Sequence, residues 1–99
     1  MISCSFTDNG FTVSGHSGYA DSGSDIVCAA VSAMVMLVCN ILTDKTDSSA
    51  IVTVDDESGS VSVRFKKGTR TDISRILVDG LKDELLALSG DYPENIRVL

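Results

Sequence analysis

The sequence is poor in the residues that usually signal metal or nucleic-acid chemistry. It has a single histidine, His16, and three cysteines, Cys4, Cys28 and Cys39. One imidazole and three scattered thiols have no metal-site spacing, so no metal is expected and no cofactor is implied. An odd cysteine count with no leader-like start argues against a disulfide framework. Reduced thiols in the cytoplasm are the expectation. Basic residues are scarce, with 8 Lys+Arg against 14 Asp+Glu and a net charge of −6. That balance excludes a general nucleic-acid binder and leaves room for a basic protein partner. No apolar run reaches the roughly 20 residues of a membrane span. The longest, Ile26 to Leu42, contains Ser32 and Asn40 and is flanked by Asp25 and Asp44. It reads as a buried helix, and no membrane association is expected. There is no internal sequence repeat.

What is present fits one domain over residues 1–99. A chain this short buries a modest core, so dimerisation would help it. Residues 2–6 and 11–15 alternate apolar and polar side chains around Asn9-Gly10. Asn-Gly is expected to supply the positive φ values of a tight hairpin turn. Ser17 to Ser24 is rich in Gly and Ser, has no apolar period, and reads as a mobile loop. Ser24 or Asp25 can cap the helix that follows. That helix is apolar nearly all round, which predicts cover on more than one side, from a sheet and a partner subunit.

After a polar connection over 43–50, residues 51–55 and 61–65 form a second pair of alternating strands, turning through Asp55 to Ser60. The stretch Lys66-Lys67-Gly68-Thr69-Arg70 is basic and reads as exposed. A second helix starts at Thr71 or Asp72, buries Ile73, Ile76, Leu77, Leu81, Leu85 and Leu88, and stops at Gly90. Tyr92-Pro93 turns into a final strand, 96–99. The order is β-β-α-β-β-α-β. The class is α+β, with mostly antiparallel strands packed on two helices and the first helix buried nearly all round.

The chemistry concentrates at residues 15–32. Asp25, Cys28 and Ser32 share one helical face. A thiol near a helix N-terminus gains thiolate character, more so beside a protonated histidine. His16 lies on the loop leading into that helix and is the one candidate base of its kind. A buried core thiol explains Cys28 as well, and an exposed loop residue explains His16. Both readings stay open on the residues alone. Asp25 could orient His16 as a triad acid or cap the helix, and the roles compete for one carboxylate. Ser32 could allow close packing or touch substrate. Gly15, Gly18 and Gly23 would let the loop fold over an extended peptide. A phosphate loop is disfavoured, because the Walker Lys-Ser/Thr ending is missing and Asp21 and Asp25 would repel the anion. Cys4 and Cys39 sit in core-like positions.

The pair Gly15-His16, a short loop, and the run Asp25-Ile26-Val27-Cys28-Ala29-Ala30-Val31-Ser32 resemble the ribosomal-processing cysteine protease family, Prp. The element order and the Tyr92-Pro93 turn match as well, so the resemblance covers the whole chain. It implies a cysteine endopeptidase. Such an enzyme removes the N-terminal extension of a bacterial large-subunit ribosomal protein, protein twenty-seven of that subunit, after a hydrophobic stretch ending in aromatic residues. It implies Cys28 as nucleophile, His16 as its partner, Asp25 in a supporting role, and a homodimer. Gly15, Ser17, Gly18, Tyr19, Gly23 and Ser32 would then contact the peptide. Ser17 departs from the small alanine usual in the family. Backbone N–H groups at the helix start, that of Cys28 included, are expected to hold the oxyanion. The competing functions are a non-catalytic ribosome-associated binding factor, docking through the basic stretch, and a redox-sensing thiol protein.

Overall fold

The computed structural model describes residues 1–21, 23–47, 49–66 and 71–99. The elements run β1 (Ile2–Thr7), β2 (Gly10–Ser14), α1 (Ile26–Asp44), β3 (Ala50–Asp55), β4 (Ser60–Phe65), α2 (Asp72–Asp91) and β5 (Ile96–Val98). The predicted order is therefore observed. The strands form one five-stranded sheet in the order β3-β4-β2-β1-β5. Three pairings are antiparallel, and β1 with β5 is parallel. Lys66 is exposed, and the rest of the basic stretch, residues 67–70, lies outside the described residues.

Register puts the alternation to use. Cys4 lies opposite Val13, Val13 opposite Val61, and Val61 opposite Val54. One sheet face is thus apolar, and the serines and threonines between these positions line the other. Thr12 and Ser62 hydroxyls meet there at 3.0 Å. Both helices pack on the apolar face. Val27, Val31, Val35, Val38, Cys39 and Leu42 of α1 and Val78, Leu81 and Leu85 of α2 are buried with Ile2, Cys4, Phe11, Val63, Phe65 and Ile96 in one core.

Four expectations are corrected. The β1–β2 turn is Asp8-Asn9, and among the described non-glycine residues only Ser49 has positive φ. Gly10 is needed for a different reason. Its φ is +152°, and a Cβ there would sit 1.8 Å from the Val63 carbonyl oxygen. The strand approach, rather than the turn, demands glycine. Second, α1 is not covered nearly all round within one chain. Both helices share one face of a single sheet, so Ile26, Met36 and Leu37 remain exposed. By length and composition α1 could cross a membrane, yet its buried stripe belongs to the core. Third, the buried stripe of α2 is rotated: Ser74 and Val78 are buried while Ile73 and Ile76 are exposed. Ser74 is accommodated because its hydroxyl donates to the Thr71 carbonyl at 2.7 Å. Fourth, Gly90 lies within the last turn of α2, whose cap is Tyr92, with its N–H on the Leu88 carbonyl.

Candidate active site

The site is built at the start of α1. Asp25 takes the N-cap position in extended backbone, and one carboxylate oxygen accepts the Cys28 N–H at 2.9 Å. The other oxygen accepts the Ser17 hydroxyl in a short hydrogen bond and the Ala20 N–H at 3.4 Å. The Ser17 hydroxyl, then the Cys28 amide, hold the Asp25 carboxyl down to about 2. Capping is therefore the observed role. Among the described residues, Asp25 makes no hydrogen bond to His16. In the free protein the Cys28 N–H is taken up by this cap.

Ser17 is the second organiser. It is 2% exposed. Its N–H donates to the Cys28 sulfur at 3.3 Å, and its hydroxyl oxygen accepts the Tyr19 N–H at 3.2 Å. Its carbonyl accepts from the Asn95 side chain at 2.9 Å. The segment expected to be a free loop is therefore anchored at its start. Tyr19 leans edge-on against Tyr92, with ring centres 5.5 Å apart.

Cys28 is half-buried, whereas Cys4 and Cys39 are fully buried. Burial pushes the Cys4 thiol up to about 11 and raises that of Cys39, which keeps both as inert thiols. Two clefts meet at Cys28. One, of about 200 Å³, runs over Gly15, His16, Cys28, Ser32 and Gly59 to an apolar wall that includes Val13, Val35, Met36 and Val61. The other, of about 560 Å³, is lined by His16, Gly18, Ala20, Gly23, Asp25, Cys28, Ala29 and Ser32. His16 is exposed, and no hydrogen bond joins it to Cys28 among the described residues. Its imidazole lies against Gly59 of the β3–β4 turn, where a Cβ would come within 3.2 Å of both Cε1 and Nε2.

The structure thus brings His16, Cys28, Asp25, Gly15, Gly18, Gly23 and Ser32 to one cleft system. Ser17 and Tyr19 are not on the cleft walls described; they brace the loop from behind. Gly15, at φ +95°, passes close to the Met1 carbonyl, where a Cβ would sit 2.5 Å away. Two contributors escaped the sequence reading. Gly59 looked like any turn glycine, and Asn95 carries no signal in a chain position 78 residues from Ser17. Among the described residues no group of His, Cys, Asp and Glu could hold a metal ion.

Comparison with known proteins finds relatives over nearly the whole chain. The family model for cysteine protease Prp matches residues 1–97. The ribosomal processing cysteine protease Prp of Bacillus subtilis (strain 168) is 25% identical over 91 residues, covering 89% of this chain and 81% of that protein. The protein of the same name from Staphylococcus aureus (strain Mu50) is 29% identical over 84 residues, covering 85% and 78%. The crystal structure of S. aureus Prp with a covalently linked product peptide superposes with a TM-score of 0.85 at 25% identity, covering 98% of this chain and 94% of that one. SMU.848 from Streptococcus mutans shares the fold, with a TM-score of 0.81 at 24% identity over 99% and 91% of the two chains. The family model spans all but the last two residues, and the likeness to these proteins runs over most of each chain: the chain belongs to the Prp family of cysteine proteases.

Proposed function

We propose that Cys28 is the nucleophile of an endopeptidase that removes the N-terminal extension of a large-subunit ribosomal protein, protein twenty-seven of that subunit, with His16 as the acid–base partner. The observation that carries this reading is that the Cys28 sulfur and His16 line the same two clefts. One of those clefts ends in an apolar wall suited to a hydrophobic stretch before the cut. The relatives' names speak of ribosomal processing, which supports the substrate class. The thiolate attacks the scissile carbonyl carbon and forms the C–S bond. The C–N bond breaks as His16 gives its proton to the leaving amine, and water hydrolyses the thioester. The Ser17 N–H already points at the sulfur, which holds the attacking atom in place. Gly15, Gly18, Gly23 and Ser32 line the peptide path, and Asp25 acts through the cap and through Ser17. The loop moves to admit the extension and closes over it, bringing His16 onto Cys28.

The test is intact-mass analysis of the extended ribosomal protein incubated with the enzyme and with Cys28→Ala. The expected result is a single loss equal to the extension, absent with the variant. Persistent cleavage by Cys28→Ala removes Cys28 from the chemistry. No cleavage by either folded protein favours a non-catalytic ribosome-associated factor or a redox-sensing thiol.

The working form in this reading is a cytoplasmic homodimer. Its support is an apolar groove between α1 and α2, flanked by Met34, Leu37, Ile76 and Gly80. Leu37 is 61% and Ile76 70% exposed, apolar side chains that a second copy would cover. Sedimentation should show a dimer for the native chain and a folded monomer for the double variant Leu37→Glu, Ile76→Glu. A monomer in both cases would end the dimer proposal.

A further inference from the structure

Asn95 stands in the turn between α2 and β5, far in sequence from the thiol and close to it in space. Its backbone is fully used by the fold. The N–H donates to the Tyr92 carbonyl at 3.0 Å, and the carbonyl accepts the Ile2 N–H at 2.8 Å. The turn is thereby fastened to the first strand. The side chain is left to do something else, and its amide donates to the Ser17 carbonyl at 2.9 Å.

Ser17 is held from three directions. Its hydroxyl goes to Asp25 at the helix cap, its N–H goes to the Cys28 sulfur, and its carbonyl goes to Asn95. With Tyr19 bonded to its hydroxyl oxygen, every polar group on this buried residue has a partner. The residue that follows is Gly18, at φ +69° with nothing among the described residues within 4 Å of where a Cβ would stand. The backbone beyond Ser17 is therefore easy to rotate. Without Asn95, a buried carbonyl would lose its donor, and the cheapest remedy is for the peptide to turn toward water. That turn draws the Ser17 N–H off the sulfur and shifts His16, its immediate neighbour.

We infer that Asn95 is a positioning residue for the nucleophile, clamping Ser17 so that its backbone N–H stays on the Cys28 sulfur and His16 stays on the clefts it shares with the thiol. The inference rests on the reading of Cys28 as nucleophile. It makes the C-terminal turn a working part of the site rather than a connection. Tyr92 supports the same attachment through its edge contact with Tyr19. Asn95 is not among the residues lining the two clefts, and its amide reaches the site through Ser17.

The experiment compares the full chain with Asn95→Ala, Asn95→Leu and Asn95→Gln. Iodoacetamide labelling of Cys28 is followed against pH by peptide mass mapping, which separates it from Cys4 and Cys39. Cleavage of the extended ribosomal protein gives kcat and KM in parallel. Asn95→Ala and Asn95→Leu should slow Cys28 labelling about tenfold on the rising limb of the profile. They should lower kcat about tenfold while KM stays within about twofold. Asn95→Gln, which keeps a donor on a longer arm, should recover a large part of both. A lower melting temperature with the labelling profile and kcat unchanged would overturn the inference and leave Asn95 a purely structural residue. Equal losses in Asn95→Gln and Asn95→Leu would overturn it too, because the amide donor would then not matter. If Asn95→Ala fails to fold, Asn95→Leu, which has the branching of asparagine and lacks the donor, carries the same comparison. Labelling is read without any cleavage, so an error in the proposed substrate leaves this test intact. Cleavage by Cys28→Ala would remove the nucleophile reading separately.

Discussion

Replacing Gly59 separates two demands made on one atom. The residue has φ +63° and lies behind the His16 ring. An L-residue in this region costs about 1–2 kcal/mol. In a domain of this size each kcal/mol moves the melting temperature by about 4–8 °C, so Gly59→Ala should lower it by about 4–16 °C. The new Cβ would also stand 3.2 Å from Cε1 and Nε2 of the imidazole and 3.5 Å from the Gly15 carbonyl oxygen. The ring is exposed and can give way by a few tenths of an ångström at little cost in stability. With His16 as the proposed proton donor, the cost should fall on the reaction, where small misplacements matter; roughly threefold to tenfold in kcat is expected. Gly59→Asn tells the two apart. Asparagine tolerates the left-handed backbone but carries the same Cβ. It should recover most of the melting temperature and keep the loss in kcat. Thermal melts and cleavage of the extended ribosomal protein supply both readings. Wild-type kcat in Gly59→Asn would refute the idea that this turn seats His16, and an undiminished melting temperature in Gly59→Ala would refute the strained backbone.

Two further outcomes are expected. Gly90 lies inside α2 with nothing among the described residues within 4 Å of an added Cβ, so Gly90→Ala should stabilise the fold by up to about 1 kcal/mol in denaturant unfolding; destabilisation would restore the helix-ending role first expected of it. The Asp25 carboxyl is held at about 2, below its ordinary 3.8. Its contribution to stability is therefore complete above about pH 4 and is lost as pH falls toward 2. Asp25→Asn, which keeps an oxygen for the Cys28 N–H but no charge, should show a flatter acid limb in melting temperature against pH between about 4 and 2.

The two alternating pairs of strands and two apolar helices were readable in the sequence, because each element carries its own period. Strand alternation places Cys4, Val13 and Val61 on one face, and hydrophobicity alone specifies that choice. The start of α1 was readable for a similar reason, since a cap and the amide it satisfies are three residues apart. His16, Cys28 and Asp25 therefore announced themselves as a group. What tertiary structure decided was everything that depends on distant chain segments meeting. Gly10 had to be glycine because β4 passes over it, which no local turn rule reveals. The Asp25 carboxylate was drawn to Ser17 and the cap, settling a competition the residues left open. Gly59 and Asn95 reach the site from the β3–β4 turn and the last turn of the chain, at separations that no periodicity records. The sequence determines which groups are chemically capable; the packing of loop, hairpin and C-terminal turn determines which of them stand around one sulfur atom.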